Sequence, residues 1–366
     1  MKKILSIVGA RPNFIKIAPI DKAFRKYRKE VEHRICHTGQ HFDDRMSKIF
    51  FEDLKMPRPD FYLGVGGGSH AEQTARIMLE LEKVLSEECP DLVIVPGDVN
   101  STLAGALVAS KMRIPIAHVE AGLRSYDKTM PEEINRIVTD VVSDYLFVSE
   151  HSGTHNLRSE GMDDDKIYFV GNVMIDTLEA HYDLIEASPI TKEMGLEQGK
   201  YILATFHRPS NVDNKTDLEA LMKTLGRLAE ERTLVFPVHP RTRKQIKANG
   251  LDSKLPKGLV LTDPLGYIEF LSLMRYAELV ITDSGGIQEE TTYLGVQCIT
   301  VRKNTERPVT MDVGTNHLVG TDLEKVEKTA KDILSGITKP GRIPELWDGK
   351  TAKRIAEIIV ENITKE

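Results

Sequence analysis

Glu278-Leu279-Val280-Ile281-Thr282 runs directly into Asp283-Ser284-Gly285-Gly286-Ile287-Gln288-Glu289-Glu290. The first five residues are a short apolar run of β-branched and aliphatic side chains, which reads as a buried strand. The residues from Ile287 to Leu294 have helical character. A strand therefore ends, two glycines let the backbone turn tightly, and a helix begins with its first amides bare. A helix N-terminus after a glycine turn is suited to an anion. Asp283 or Ser284 can cap it. Glu289 and Glu290 follow within the helix, where a carboxylate can accept hydrogen bonds from a diol. The same residues would also serve as an ordinary helix start, with glycine used only for close packing.

Outward from this joint, short apolar runs and amphipathic stretches alternate along the whole chain. Strands are expected at 4–8, 33–37, 92–95, 115–119, 146–149 and 167–170, then at 201–205, 234–238, 259–261, 279–282, 298–301 and 317–319. Helical stretches lie between them, among them 72–85, 103–111, 217–231 and 323–334. This pattern implies parallel sheets covered on both faces. The expected fold is α/β, with two doubly wound, Rossmann-like domains at 1–172 and 173–350. The polar stretch SPITKEMGLEQGK separates the halves, and a last helix, 351–366, could pack back on the N-terminal domain.

The 366 residues suffice for two cores, and the formal net charge of −6 argues against nucleic acid as a partner. No run of eighteen apolar residues offers a membrane span. The opening MKKILSIVGARPNF starts basic and then turns apolar, as a signal peptide does. Its apolar part is short and meets Arg11 and Pro12, so it reads as a first strand. Cys36, Cys89 and Cys298 lack metal spacing and read as buried thiols in a reducing, cytoplasmic setting.

Ligands of doubly wound sheets bind beyond the carboxyl ends of the strands. At those ends lie Gly9 to Lys16, Pro96-Gly97-Asp98, Glu120 to Arg124, Phe206-His207-Arg208, His239, and the DSGG turn. Asp98, Glu120, His207 and His239 converging on strand ends point to a cleft. The first strand is not followed by G-x-G-x-x-G, and Gly66-Gly67-Gly68 follows no initial strand. That disfavours a nicotinamide cofactor, and no Walker loop is present. No cofactor and no metal are expected. A diphosphate on the helix amides and a ribose on a glutamate is the layout of a nucleotide-sugar site.

The motifs GARPNFIK, TGQH, PGDVNST, HVEAGLRS, PEEINR, FHR, PVHP, TDSGGIQEE and TERP occur in this order. Together they resemble the UDP-N-acetylglucosamine 2-epimerases of the non-hydrolysing type. The resemblance implies a glycosyltransferase-B-like fold with the active site in the interdomain cleft, and a homodimer. It also implies interconversion of UDP-N-acetylglucosamine and UDP-N-acetylmannosamine by elimination and re-addition of UDP. A hydrolysing 2-epimerase, releasing N-acetylmannosamine and UDP, is the alternative. The implied catalytic residues are Asp98, Glu120, Glu132 and His207. Arg11, Lys16 and Arg307 would meet phosphates or sugar, Ser284, Gly285 and Gly286 the diphosphate, Glu290 the ribose and Phe270 the uracil. His239 is a further candidate for the substrate. Gln40 and His41 match a region that binds a second, regulatory UDP-N-acetylglucosamine in some relatives. Many relatives carry H-R-R-E-N where this chain has His207-Arg208-Pro209-Ser210-Asn211.

Overall fold

A computed structural model describes residues 1–40, 58–252 and 255–365. Contacts divide the chain into two compact units, Met1–Ala180 with Glu345–Glu366, and His181–Pro344. The expected boundaries were 172/173 and 350/351. The division comes instead at the far end of helix Val173–Ala180, which packs on helix Arg11–Phe24. Val173, Ile175 and Leu178 are buried there, so this helix stays with the first unit.

The first unit holds one all-parallel sheet in the order β3-β2-β1-β4-β5-β6-β7. Its strands are β1 Lys2–Val8, β2 Val31–His37, β3 Phe61–Tyr62, β4 Leu92–Pro96, β5 Ile116–Ala121, β6 Tyr145–Val148 and β7 Ile167–Phe169. The second unit holds a parallel sheet in the order β10-β9-β8-β11-β12-β13. Its strands are β8 Tyr201–Thr205, β9 Thr233–Pro237, β10 Leu259–Thr262, β11 Leu279–Thr282, β12 Gln297–Thr300 and β13 Asn316–Leu318. All twelve strands read from the sequence are present, with ends displaced by two residues at most. Among the described strands only β3 escaped, because a two-residue edge strand has no apolar run to betray it.

Central strands are apolar throughout because both faces are covered. Leu92, Val93, Ile94 and Val95 are wholly buried, as are Leu279, Val280 and Ile281. Each sheet reverses its direction of growth once, between β1 and β4 in the first unit and between β8 and β11 in the second. In sheets wound this way the crevice at the reversal takes the ligand.

After Pro344 the chain returns to the first unit. Trp347, almost fully buried, donates from its indole nitrogen to the Ser149 carbonyl at 2.9 Å. Helix Thr351–Ile363 then packs on helices Arg11–Phe24 and Val173–Ala180 through Ile355, Ile359 and Ile363. Its first amides, Thr351 and Ala352, donate to the Asp176 carboxylate at 3.1 and 2.6 Å. Asp176 thus caps a helix that begins 175 residues later in the chain. Of the three cysteines expected to be buried, Cys36 and Cys298 are and Cys89 is exposed, because it ends helix His70–Glu88 in the left-handed region at φ 46°. Among the described residues, no helix is long and apolar enough to cross a membrane.

Candidate active site

In the first unit the residues after β1, β4 and β5 meet. Asn13 Oδ1 accepts from the Gly9 and Ala10 amides at 3.1 and 3.0 Å, and its Nδ2 donates to the Pro96 carbonyl at 3.0 Å. This one amide ties the turn after β1 to the end of β4. Lys16, one turn further along the helix, is 5 % exposed and donates to Glu120. Glu120 itself sits at φ +76°, where β5 slips register against β6 between Val119 and Ala121. A non-glycine residue in that region is strained by about 1–3 kcal/mol, a cost characteristic of functional positions. The bulge turns the Glu120 carboxylate to Lys16 and past the strand end. Gly97, at φ +68°, lies so close that a Cβ there would come 2.9 Å from Lys16 Nζ and 3.5 Å from Glu120 Oε2.

Asp98 follows and pairs with Arg136. Arg136 is buried on helix Pro131–Val142 and also reaches Glu133 Oε2 at 2.6 Å. Glu133 in turn accepts from the Ser125 amide and hydroxyl, both at 2.9 Å, and from the Tyr126 amide at 2.8 Å. Burial opposes the Glu133 charge, but the Ser125 and Arg136 bonds prevail and hold its carboxyl below the ordinary range. Glu132 stands in the same first turn, half-buried, and makes no hydrogen bond or ion pair among the described residues. The PEE pair therefore divides its work, with Glu133 bracing the loop and Arg136 while Glu132 stays open. Gln40, nearly buried, accepts from the Ser101 amide and hydroxyl at 2.9 and 2.7 Å. Arg11 opens helix Arg11–Phe24. Its side chain, and all of His41, lie outside the described residues.

The second unit gathers another group around the β8/β11 reversal. Asp283 neither caps the following helix nor points to solvent, and Ser284, the N-cap residue, makes no side-chain cap bond. Asp283 is wholly buried and takes the His207 and Arg208 amides and Asn211 Nδ2, the last two at 2.9 and 3.0 Å. It also meets His207 Nδ1 at 3.1 Å. Burial works against its charge, yet the His207 and Asn211 bonds hold the carboxyl below its usual range. The His207 ring is thereby oriented and left partly exposed, 6.4 Å from that of His239. His239 caps helix Pro240–Ala248, accepting from the Arg241 amide at 3.3 Å.

Helix Gly285–Leu294 begins directly after Ser284. Its first amides have no acceptor within the helix. Arg307 lies against this start, since a Cβ on Gly285 would come 2.6 Å from its Nη1. Arg307 is held by Glu306 and, through Nε at 2.9 Å, by Glu289. The two carboxylates of the QEE run therefore differ: Glu289 grips Arg307, and Glu290 accepts from the Tyr267 hydroxyl at 3.3 Å. Phe270 is half-buried on helix Tyr267–Arg275, the helix that carries Tyr267. Pro209 and Ser210, where the chain departs from H-R-R-E-N, are exposed in the first turn of helix Pro209–Val212, while Asn211 keeps its bond to Asp283.

A sequence profile described as UDP-N-acetylglucosamine 2-epimerase matches residues 23–360. A UDP-N-acetylglucosamine 2-epimerase of Methanocaldococcus jannaschii is 44 % identical over 98 % of both chains. The chain belongs to the UDP-N-acetylglucosamine 2-epimerase family. A crystal structure of the Methanocaldococcus jannaschii enzyme with UDP-GlcNAc and UDP has a TM-score of 0.91, with 98 % of this chain and all of that chain covered, at 44 % identity. A Pseudomonas aeruginosa relative, 42 % identical over 98 % of this chain and 99 % of its own, is a UDP-2,3-diacetamido-2,3-dideoxy-D-glucuronate 2-epimerase. With the family's architecture established, the two parallel sheets correspond to its glycosyltransferase-B-like fold.

Four residues of these constellations were not singled out in the sequence for the contacts they make: Asn13, Glu133, Arg136 and Asp283. Asn13 and Asp283 act on partners 83 and 76 residues away, Pro96 and His207, and Arg136 on Asp98, 38 residues before it. Glu133 acts within its own loop and helix, and there the signal was present, since two successive glutamates on one helix cannot face the same way.

Proposed function

We propose that this chain catalyses reversible epimerisation at carbon 2 of UDP-N-acetylglucosamine, without hydrolysis, by elimination and re-addition of UDP. The observation that supports this most is the pairing at the strand ends of the first unit. Asp98 and Glu120 stand at the ends of adjacent strands, each held against a buried cation, and the open Glu132 stands in the first turn of the helix that carries Arg136. The carbon 2 hydrogen of this sugar is not acidic, so direct deprotonation is closed. Loss of UDP changes that. The carbon 1–oxygen bond breaks with its electron pair going to the diphosphate, and positive charge develops on the ring. Carboxylates stabilise such an oxocarbenium-like centre. A base then takes the carbon 2 proton, and that bond's electrons form the double bond of 2-acetamidoglucal. Return of UDP to carbon 1, with a proton delivered to the opposite face of carbon 2, gives UDP-N-acetylmannosamine.

In this reading Asp98, Glu120 and Glu132 share stabilisation of the cation and the proton transfers. His207, oriented by Asp283, protonates or hydrogen-bonds the departing diphosphate. Ser284 to Gly286 and Arg307 receive that diphosphate. Glu290 takes the ribose hydroxyls, Phe270 the uracil, and Lys16, Arg11 and His239 complete the substrate contacts. Gln40 and His41 would belong to a regulatory site. The proposed assembly is a homodimer in the cytoplasm, and sedimentation equilibrium at a single monomer mass would refute it.

Incubation with UDP-N-acetylglucosamine in deuterium oxide, followed by proton NMR, tests the reaction. The expected result is UDP-N-acetylmannosamine carrying deuterium at carbon 2, with label appearing in recovered substrate as well. Free N-acetylmannosamine and UDP as main products would replace the non-hydrolysing reading by the hydrolysing one. Turnover of the diacetamido-glucuronate nucleotide alone would keep the family chemistry and change the sugar.

A further inference from the structure

His118 lies in the middle of the first unit's chemistry and no step above uses it. It is on β5, wholly buried, two residues before Glu120. Its Nδ1 is 2.6 Å from Asp140 Oδ1, and its Nε2 is 2.8 Å from the carbonyl oxygen of Gly97. Both partners are acceptors. A neutral imidazole donates from one nitrogen only and would turn a lone pair toward one of these oxygens. Asp140 is itself committed, pairing through Oδ2 with Arg124 at 2.7 Å and accepting from the Gly122 amide at 3.1 Å. Arg124 continues to Glu160 at 2.6 Å. Glu160 is exposed to solvent, and a second ring proton lets His118 donate to both of the oxygens it faces.

We infer that His118, held by Asp140 as an imidazolium, is a positioning residue that clamps the Gly97 peptide and so sets the Asp98 and Glu120 carboxylates. The Gly97 carbonyl accepts from His118 while the Gly97 amide donates to the Val119 carbonyl at 2.9 Å, so the peptide groups on both sides of the Gly97 Cα are held. The same Asp140 carboxylate braces Gly122, two residues past Glu120. One buried ion pair thus fixes both loops that carry the reacting carboxylates, whose misplacement by about 1 Å would cost roughly 100-fold in rate. The effect on rate rests on the proposed epimerisation, whereas the protonation state does not.

Two measurements test it. Nitrogen-15 NMR of the wild-type protein labelled at histidine, at about pH 7.5 where a free imidazole is mostly neutral, should show an imidazolium pattern with two retained ring protons. If no histidine shows it, the inference falls. His118→Gln keeps a donor near Nε2 and removes the charge. Its kcat for carbon 2 deuterium exchange should fall at least about 10-fold, with UDP affinity changed by less than about 2-fold, and the NMR signal should vanish. Wild-type kcat in His118→Gln overturns the positioning role. A wild-type protein that turns over no UDP-N-acetylglucosamine overturns the proposed reaction instead, and the NMR result stands apart from it.

Discussion

Single side chains here divide by the partner each one finds in the fold. Glu290 and Glu289 are adjacent, yet one faces the Tyr267 hydroxyl and the other grips Arg307. Glu290→Ala should therefore weaken UDP binding by about 1.5–3 kcal/mol, the worth of hydrogen bonds to a charged acceptor. Calorimetric affinity equal to wild type would remove Glu290 from the ribose. Asp283 offers the complementary case. It makes its bonds wholly buried and holds His207 by the ring and the amide. Asp283→Asn keeps the shape but loses the charge and one acceptor. The expectation is a fall in kcat of about 100- to 10,000-fold with a smaller change in KM, because general acid–base groups contribute on that scale. A larger effect on KM than on kcat would make Asp283 a binding residue.

At the scale of elements, chemistry gathers where a strand gives way to a turn or helix. The start of helix Gly285–Leu294 has room for a side chain at Gly285 only if Arg307 and Glu306 shift, because a Cβ would meet Arg307 Nη1 at 2.6 Å and Glu306 Oε1 at 2.9 Å. Gly285→Ala should push Arg307 aside and lower UDP affinity at least about 10-fold, while the helix, whose N-terminal backbone accepts alanine, keeps its stability within about 1 kcal/mol. Thermal unfolding and calorimetry of one sample separate the two effects. The joint of strand, glycine turn and helix was legible in the sequence. Its cap was not, because Asp283 is drawn to the amides after β8, a strand that neighbours β11 only in the folded sheet. At glycines 66 and 67, Arg76 donates to both carbonyls, at 3.1 and 2.6 Å.

The first unit is completed by the chain's last helix. Asp176 caps helix Thr351–Ile363, and burial, opposed by the Ala352 and Thr351 amides, raises its carboxyl to about 6 from 3.8. A carboxyl raised by folding makes the native state bind a proton that the unfolded chain has lost. Its contribution to stability is thus fully present below about pH 4, falls as pH rises to about 6, and is flat above. The fall amounts to about 3 kcal/mol at most. Urea unfolding at about pH 4.5 and about pH 7 should reveal it, and Asp176→Asn should flatten that part of the profile; an unchanged slope in the variant would assign the effect elsewhere. From the sequence alone came the strands, the helices between them, their parallel pairing and the strand-end residues that could react. These follow from local periodicity and from the rule that a doubly wound sheet binds at its carboxyl edge. Tertiary structure alone decided which carboxylate of each Glu-Glu pair is braced and which is open, that Arg136 serves Asp98, and that the chain's end rejoins its beginning. Those outcomes depend on burial and on partners brought together from distant segments, and a single carboxylate in a sequence carries no mark of the cation it will meet.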